Sequence, residues 1–194
     1  MFFWSLKEVK QVFILVLLTM TLMQSYAQSP LPSEGSSWFN VEFGRFGLSG
    51  NWNQPMGGDT LIDGVTYSKL LYGTRYQGAL RSEGDQWLTI ADGMDTEHVL
   101  YDFSLAVADA FWIDNPYHFD IAPYLILTSI DEVELLDGSV RTRWNFLYPE
   151  WTEVSWIEGI GGMQGIDDVS GCFQIDCGWS QLVCFHEADV LLYE

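Results

Sequence analysis

The chain has 194 residues and a formal net charge of −19 at pH 7, with 27 acidic residues against 8 Lys and Arg. This charge repels phosphate backbones and anionic membrane surfaces, so the composition excludes nucleic acid as a partner class. The length suits a single domain that buries its own core.

The N-terminus has the pattern of a secretory signal peptide. Lys7 and Lys10 precede an apolar run over residues 12–23, and the small residue Ala27 follows a polar break. When a basic start, a short apolar stretch and a small-residue cleavage site follow one another in this order, they predict export. The run is shorter than the roughly 20 apolar residues of a membrane span. We therefore predict a signal peptide over residues 1–27 and a secreted chain without a membrane span, located in the periplasm, at the cell surface or outside the cell.

The remainder of the chain has the pattern of an antiparallel β domain. Residues 28–37 contain Pro, Ser and Gly with little to bury, which predicts a flexible leader. From Trp38 onward, β-prone runs and turn signals alternate about every 8 to 12 residues, the spacing of a sandwich or barrel. We predict one all-β domain over residues 38–194, built from hairpins. The strand candidates are WFNVEF (38–43), EHVLYDF (97–103), APYLILTSI (122–130), TEVSWIEG (152–159), SQLVCFH (180–186) and DVLLY (189–193).

Two Asp-Gly pairs predict the tightest hairpin turns. Asp63-Gly64 lies between two β-prone runs, and Asp137-Gly138 repeats the arrangement. A two-residue Asp-Gly loop forms a type I′ turn, whose twist matches that of paired strands. After the second pair, Trp144 and Phe146 alternate with polar residues, which predicts a strand with one buried face. Residues 102–111 come nearest to a helical period, but the pattern is too weak to predict a helix.

The stretch SWIEGIGGMQGIDD, residues 155–168, resembles a phosphate-binding glycine loop only superficially. Gly159 and Gly161 have the first spacing of G-x-G-x-x-G, but Gln164 occupies the third glycine position. A β-prone segment follows instead of a helix, and Asp167 would repel a pyrophosphate. We therefore predict a structural role, in which a strand leaves the sheet through bends that need positive φ.

Several segments in order resemble a family of small secreted all-β proteins of Gram-negative bacteria. The signature is WIEGIG (156–161), accompanied by GDTLIDGVTYSKL (58–70), YQGALRSEG (76–84), LYDFSLAVAD (100–109) and LVCF (182–185). Many members of this family carry a sorting domain for the type IX secretion system. The resemblance implies a secreted, type IX secretion-associated all-β protein, and it implies no activity, cofactor or site residue.

The three cysteines lie in one C-terminal stretch. An exported chain can form disulfides, and three cysteines allow one internal bridge. We predict Cys177–Cys184, because the link between them can reverse direction, and Cys172–Cys177 is the main rival pair. Period-two alternation places Cys184 on one strand face with Leu182 and His186. The spacing fits no zinc ribbon or finger.

No other motif indicates catalysis, a cofactor or a metal. Asp92, Asp95, Glu97 and His98 form an acidic cluster that could bind a hard cation, but they lack the spacing of a Ca²⁺ loop. The chain has no G-x-S-x-G and no H-E-x-x-H. We therefore predict no catalytic, cofactor-binding or metal site residues.

The sequence favours a secreted or cell-surface module that is non-catalytic and binds an unknown extracellular partner or ligand. Trp144 and Trp156 are predicted to fill the core, whereas Trp52 and Trp179 lie among polar turn residues and could belong to a sugar platform. The alternatives are an extracellular glycan hydrolase and a lipocalin-like carrier. A cleft with two facing carboxylates would favour the glycan hydrolase. An open apolar cavity would favour the lipocalin-like carrier, and a filled core would favour the non-catalytic module.

Overall fold

The computed structural model confirms the predicted all-β class. It describes residues 30–44, 47–114, 124–148, 152–167 and 179–194. These ranges contain no helix, and so nothing in them has the length and hydrophobicity of a membrane-spanning helix. The strands are β1 (Ser37–Gly44), β2 (Gly47–Ile62), β3 (Val65–Tyr72), β4 (Arg75–Glu83), β5 (Gln86–Ala91), β6 (His98–Asp102), β7 (Ala110–Trp112), β8 (Tyr124–Glu134), β9 (Val140–Tyr148), β10 (Thr152–Ile157), β11 (Gly161–Gly162), β12 (Trp179–Glu187) and β13 (Val190–Tyr193).

The strands form two antiparallel sheets. The larger has the order β13-β12-β1-β2-β3-β4-β5-β6, and the smaller has the order β11-β10-β9-β8-β7. Nearly every strand pairs with its neighbour in sequence, as expected of a fold built from hairpins. Among the described strands, β12 also forms a long-range pair: besides β13 it pairs with β1, which brings the C-terminal segment beside the N-terminal strand.

One of the two predicted Asp-Gly turns is confirmed, and the other differs in form. Asp63 and Gly64 both have positive φ, 50° and 84°, and join β2 to β3 as a two-residue turn. At Asp137-Gly138 the hairpin exists, but its loop spans residues 135–139, and only Gly138 has positive φ. The loop is longer because Leu135 leaves the strand and packs into the core, where it is 4% exposed.

The two sheets enclose a core filled largely by aromatic rings. Trp156 on β10 lies near its centre and contacts Tyr101 across the sheets at 5.0 Å between ring centroids, Phe111 at 4.9 Å and Phe146 at 4.1 Å. Trp144 is also buried, so the core positions predicted for both tryptophans are confirmed. One continuous cluster of buried residues connects the sheets, and this burial is the main stabilising contribution.

Two segments rich in turn-forming residues are part of the folded domain. Residues 47–57, rich in Gly, Asn and Pro, form most of β2, where a bulge between Met56 and Asp59 accommodates two glycines. Residues 30–36, within the predicted leader, lie against the sheet. Leu31 packs on the core, and the Gly35 N–H donates to the Met56 carbonyl at 3.1 Å.

Candidate functional site

The glycine-rich stretch forms a tight return that packs on the core. β11 pairs back onto β10, and Gly159, Gly161 and Gly165 have φ of 73°, 92° and 130°. A Cβ at Gly161 would lie 3.0 Å from Ile166 Cδ1 and 3.3 Å from the ring atoms of Trp87. Glycine is therefore required here both for its backbone conformation and for its size. In the described residues the stretch is a structural return, as the sequence predicted.

The hydroxyl of Tyr101 fixes this stretch to the larger sheet. Tyr101 Oη accepts from the Gly162 N–H at 2.9 Å and donates to the Ile166 carbonyl at 2.7 Å. The Trp38 indole N–H donates to the Ile160 carbonyl at 2.7 Å from another strand of the same sheet. These buried bonds hold the return in place and set the position of Asp167 directly after Ile166.

A chain of side-chain amides runs from the core to Asp167. Asn40 Nδ2 donates to Gln54 Oε1 at 3.1 Å, and Gln54 Nε2 donates to Gln77 Oε1 at 3.3 Å. Gln77 Nε2 then donates to Asp167 Oδ2 at 2.6 Å. Asn40 and Gln54 are fully buried polar residues, which is favourable only when such groups bond to one another. We call Asn40, Gln54, Gln77 and Asp167 the amide chain.

The amide chain is held against the glycine-rich stretch. A Cβ at Gly165 would lie 3.5 Å from Asn40 Oδ1 and 3.6 Å from Asp167 Oδ1, so the backbone approaches these oxygens closely. Asp167 is partly exposed as a whole residue, and its carboxyl accepts the hydrogen bond from Gln77. Burial raises the pKa of this carboxyl, and the donated hydrogen bonds of Gln54 and Gln77 counteract the rise.

Gln77 of the amide chain also lines a groove at one end of strands β3, β4 and β5 of the larger sheet. The groove has a volume of about 300 Å³ and is lined by Tyr72, Arg75, Tyr76, Gln77 and Asp92. Tyr72 is the last residue of β3, and Asp92 directly follows β5. The other three lining residues, Arg75 to Gln77, are the first residues of β4. The Asp92 N–H donates to the Gln77 carbonyl at 2.8 Å, which holds the two walls together. The pKa of Tyr76 is raised, first by burial and then by the Asp92 charge.

The predicted acidic cluster does not form a single site. Glu97 accepts from Arg81 Nε at 2.6 Å and from the Tyr67 hydroxyl at 2.7 Å. The Arg81 bond holds the pKa of Glu97 below its usual value. His98 instead lies 3.4 Å from Asp114, and Asp92 lines the groove. In the part of the chain that the structure describes, no group of three His, Cys, Asp or Glu side chains could hold a metal ion.

Cys184 lies on β12, where it shares a strand face with His186 as predicted, but the predicted placement of Leu182 on that face is wrong. β1 pairs Phe39 with Cys184 but Asn40 with Leu182, so Val183 is an extra residue in a bulge. Leu182 is therefore buried in the core, while Cys184 is partly exposed opposite Phe39. Burial raises the pKa of the Cys184 thiol. Cys177 and Cys172 lie outside the described residues, so the Cys177–Cys184 bridge stays a prediction.

The groove was not predicted from the sequence, which singled out only Asp92 among its residues, as part of the acidic cluster. Arg75 and Asp92 stand in ordinary turn sequences, and no spacing rule connects positions so far apart in the chain. Tyr72-Gly73-Thr74-Arg75 does carry a hairpin signal, because a glycine separates two β-prone runs. An aromatic and a basic residue flanking that turn are the one local sign that a site could lie there.

Comparison of the chain with protein-family models, with curated proteins and with solved structures gave no match. The site is therefore interpreted from its own geometry.

Proposed function

We propose that the protein is a secreted, non-catalytic binding module whose ligand occupies the groove at the ends of strands β3, β4 and β5 of the larger sheet. The observation that carries this proposal is the convergence of Tyr72, Arg75, Tyr76, Gln77 and Asp92 on one cavity of about 300 Å³. A concave site with aromatic walls and a few fixed polar groups is the usual form of a small-molecule binding site.

The groove is built on rigid elements, which supports a binding role. Gln77 is fixed at both ends of its amide by Gln54 and Asp167, so its orientation is set before a ligand arrives. The Gly73 N–H donates to the Asn53 carbonyl at 2.8 Å and ties the β3–β4 turn to β2. Such preorganisation reduces the ordering cost of binding.

The other two functions considered from the sequence have less support. Rings from both sheets fill the interior, whereas a lipocalin-like carrier needs an open interior cavity. Glycoside hydrolysis needs two carboxylates that face each other across the scissile bond. Of the described residues that line the groove, Asp92 is the one carboxylate.

Export is part of the proposal, and its support is the order of basic start, apolar run and Ala27 in the sequence. The resemblance to secreted proteins associated with type IX secretion points the same way. We expect the exported protein to begin at Gln28. N-terminal sequencing by mass spectrometry after expression in a Gram-negative host checks this, and an intact Met1 in the envelope fraction would contradict it.

The binding role is tested by a thermal-shift panel of sugars, amino acids, dipeptides and dicarboxylates. We expect at least one compound to stabilise the protein, by about 2.7 kcal/mol at 100 times its Kd. For a domain of this size that corresponds to a rise in Tm of roughly 5–10 °C. The double variant Tyr72→Ala/Arg75→Ala should lose this shift, because it removes an aromatic wall and a cationic wall of the groove.

Trp112→Ala is the matched control for this experiment. Trp112 is an aromatic residue that is 65% exposed and lies on the smaller sheet, whereas the groove residues belong to the larger sheet. The control should keep the full shift. A panel without any stabilising compound, or a shift that persists in the double variant, contradicts the groove as the binding site.

A further inference from the structure

One wall of the groove is an exposed aromatic ring that a second ring supports. Tyr72 is 49% exposed, and its ring stacks on Trp52 with centroids 6.4 Å apart and planes inclined by 26°. Trp52, which the sequence placed among polar turn residues, therefore lies on β2 as a support for this ring. A flat ring that is fixed in orientation and still exposed is suited to stacking against an apolar ligand face.

Besides the aromatic wall, the groove has two charged side chains of opposite sign. Arg75 and Asp92 are exposed, and neither forms an ion pair with another described residue. A guanidinium offers only donors and a carboxylate only acceptors. The groove therefore offers both kinds of hydrogen-bonding group beside an aromatic face, and its two charges balance.

We propose that the groove binds a neutral saccharide, an inference that rests on the proposed function. A sugar ring has an apolar C–H face and a rim of hydroxyl groups, and each hydroxyl both donates and accepts. The C–H face would stack on Tyr72, while neighbouring hydroxyls would accept from Arg75 and donate to Asp92. Gln77 would form the fixed floor between them.

The net charge of the protein, the residues that line the groove and the volume of the groove disfavour the other ligand classes. The net charge of −19 and the Asp92 carboxylate oppose anionic ligands. The charged lining makes the groove unsuitable for a purely apolar ligand. A volume of about 300 Å³ is at the lower end for small-molecule sites, which suits about one or two sugar rings. The remaining competitor is a zwitterionic peptide, whose two charges would match those of Arg75 and Asp92.

The inference is tested by NMR titration of the ¹⁵N-labelled exported protein with maltose, cellobiose, lactose and N,N′-diacetylchitobiose, and separately with diglycine. We expect at least one disaccharide to cause saturable amide shifts centred on residues 72–77 and Asp92. Tyr72→Ala should weaken that binding by about tenfold, as expected for removing an aromatic contact at the centre of a site. Tyr72→Phe keeps the ring and should stay within about threefold of the wild-type affinity.

The outcomes separate this inference from the proposed function. If diglycine alone shifts the groove residues, the saccharide inference is wrong and the groove remains the binding site. If a disaccharide binds but shifts residues outside the groove, or binds Tyr72→Ala as tightly as wild type, then both the inference and the assigned site are wrong. If no probe shifts any amide, the saccharide inference is wrong.

Discussion

Replacing Gly161 by alanine is expected to lower the free energy of unfolding by about 2–5 kcal/mol. The backbone at Gly161 has φ of 92°, a conformation that costs a residue with a Cβ roughly 1–2 kcal/mol. The new methyl group would also lie 3.0 Å from Ile166 Cδ1 and 3.3 Å from rings of Trp87 and Tyr101, and overpacking of a core typically costs about 1–3 kcal/mol. Urea unfolding followed by tryptophan fluorescence measures the loss as a lower midpoint.

Gly64→Ala is the control that separates the two causes. Gly64 has a similar φ of 84°, but nothing lies within 4 Å of the position where its Cβ would be. Its substitution should cost only the conformational part, about 1–2 kcal/mol. Equal losses in the two variants would show that the glycine-rich stretch is not packed on the core as described.

Removing the hydroxyl of Tyr101 is expected to lower the free energy of unfolding by about 2–6 kcal/mol. In Tyr101→Phe the ring still fills its place in the core, but the buried Gly162 N–H and Ile166 carbonyl lose their partner. A buried polar group left unsatisfied costs about 1–3 kcal/mol, and two are left here. The measurement is again the urea midpoint, with circular dichroism to confirm that the sheet content is unchanged.

Tyr67→Phe is the matched control for Tyr101→Phe. The Tyr67 hydroxyl bonds to Glu97 at 2.7 Å, but this carboxylate keeps its two bonds from Arg81 when the hydroxyl is removed. We expect a loss of about 1 kcal/mol. A Tyr101→Phe variant no less stable than Tyr67→Phe would contradict the role of Tyr101 as the anchor of the glycine-rich stretch.

The fold class could be predicted because local patterns determine most of its hairpins. Asp63-Gly64 forms a two-residue turn for a local steric reason, and the alternation around Trp144 reports which face of β9 is buried. Asp137-Gly138 shows the limit of this reasoning. The length of that loop depends on Leu135 reaching a core made by distant strands, which its neighbours in the sequence do not reveal.

The site could not be predicted from local sequence patterns, because its residues come together through the pairing of distant segments. Asn40 and Gln54 are polar and would be expected at the surface, yet they are buried because β1 and β2 place their amides together. Gln77 meets Asp167 only through the return of the glycine-rich stretch to the larger sheet. The bulge at Val183 likewise arises from the pairing of β12 with β1, and it removes Leu182 from the strand face that Cys184 shares with His186.

The most direct test of the central claim is a crystal structure of the protein with the compound that gives the largest thermal shift. The account predicts ligand density in the groove, with the ligand in contact with Tyr72 and within hydrogen-bond distance of Arg75 or Asp92. Density at another surface, with the groove empty and its side chains unchanged, would contradict it.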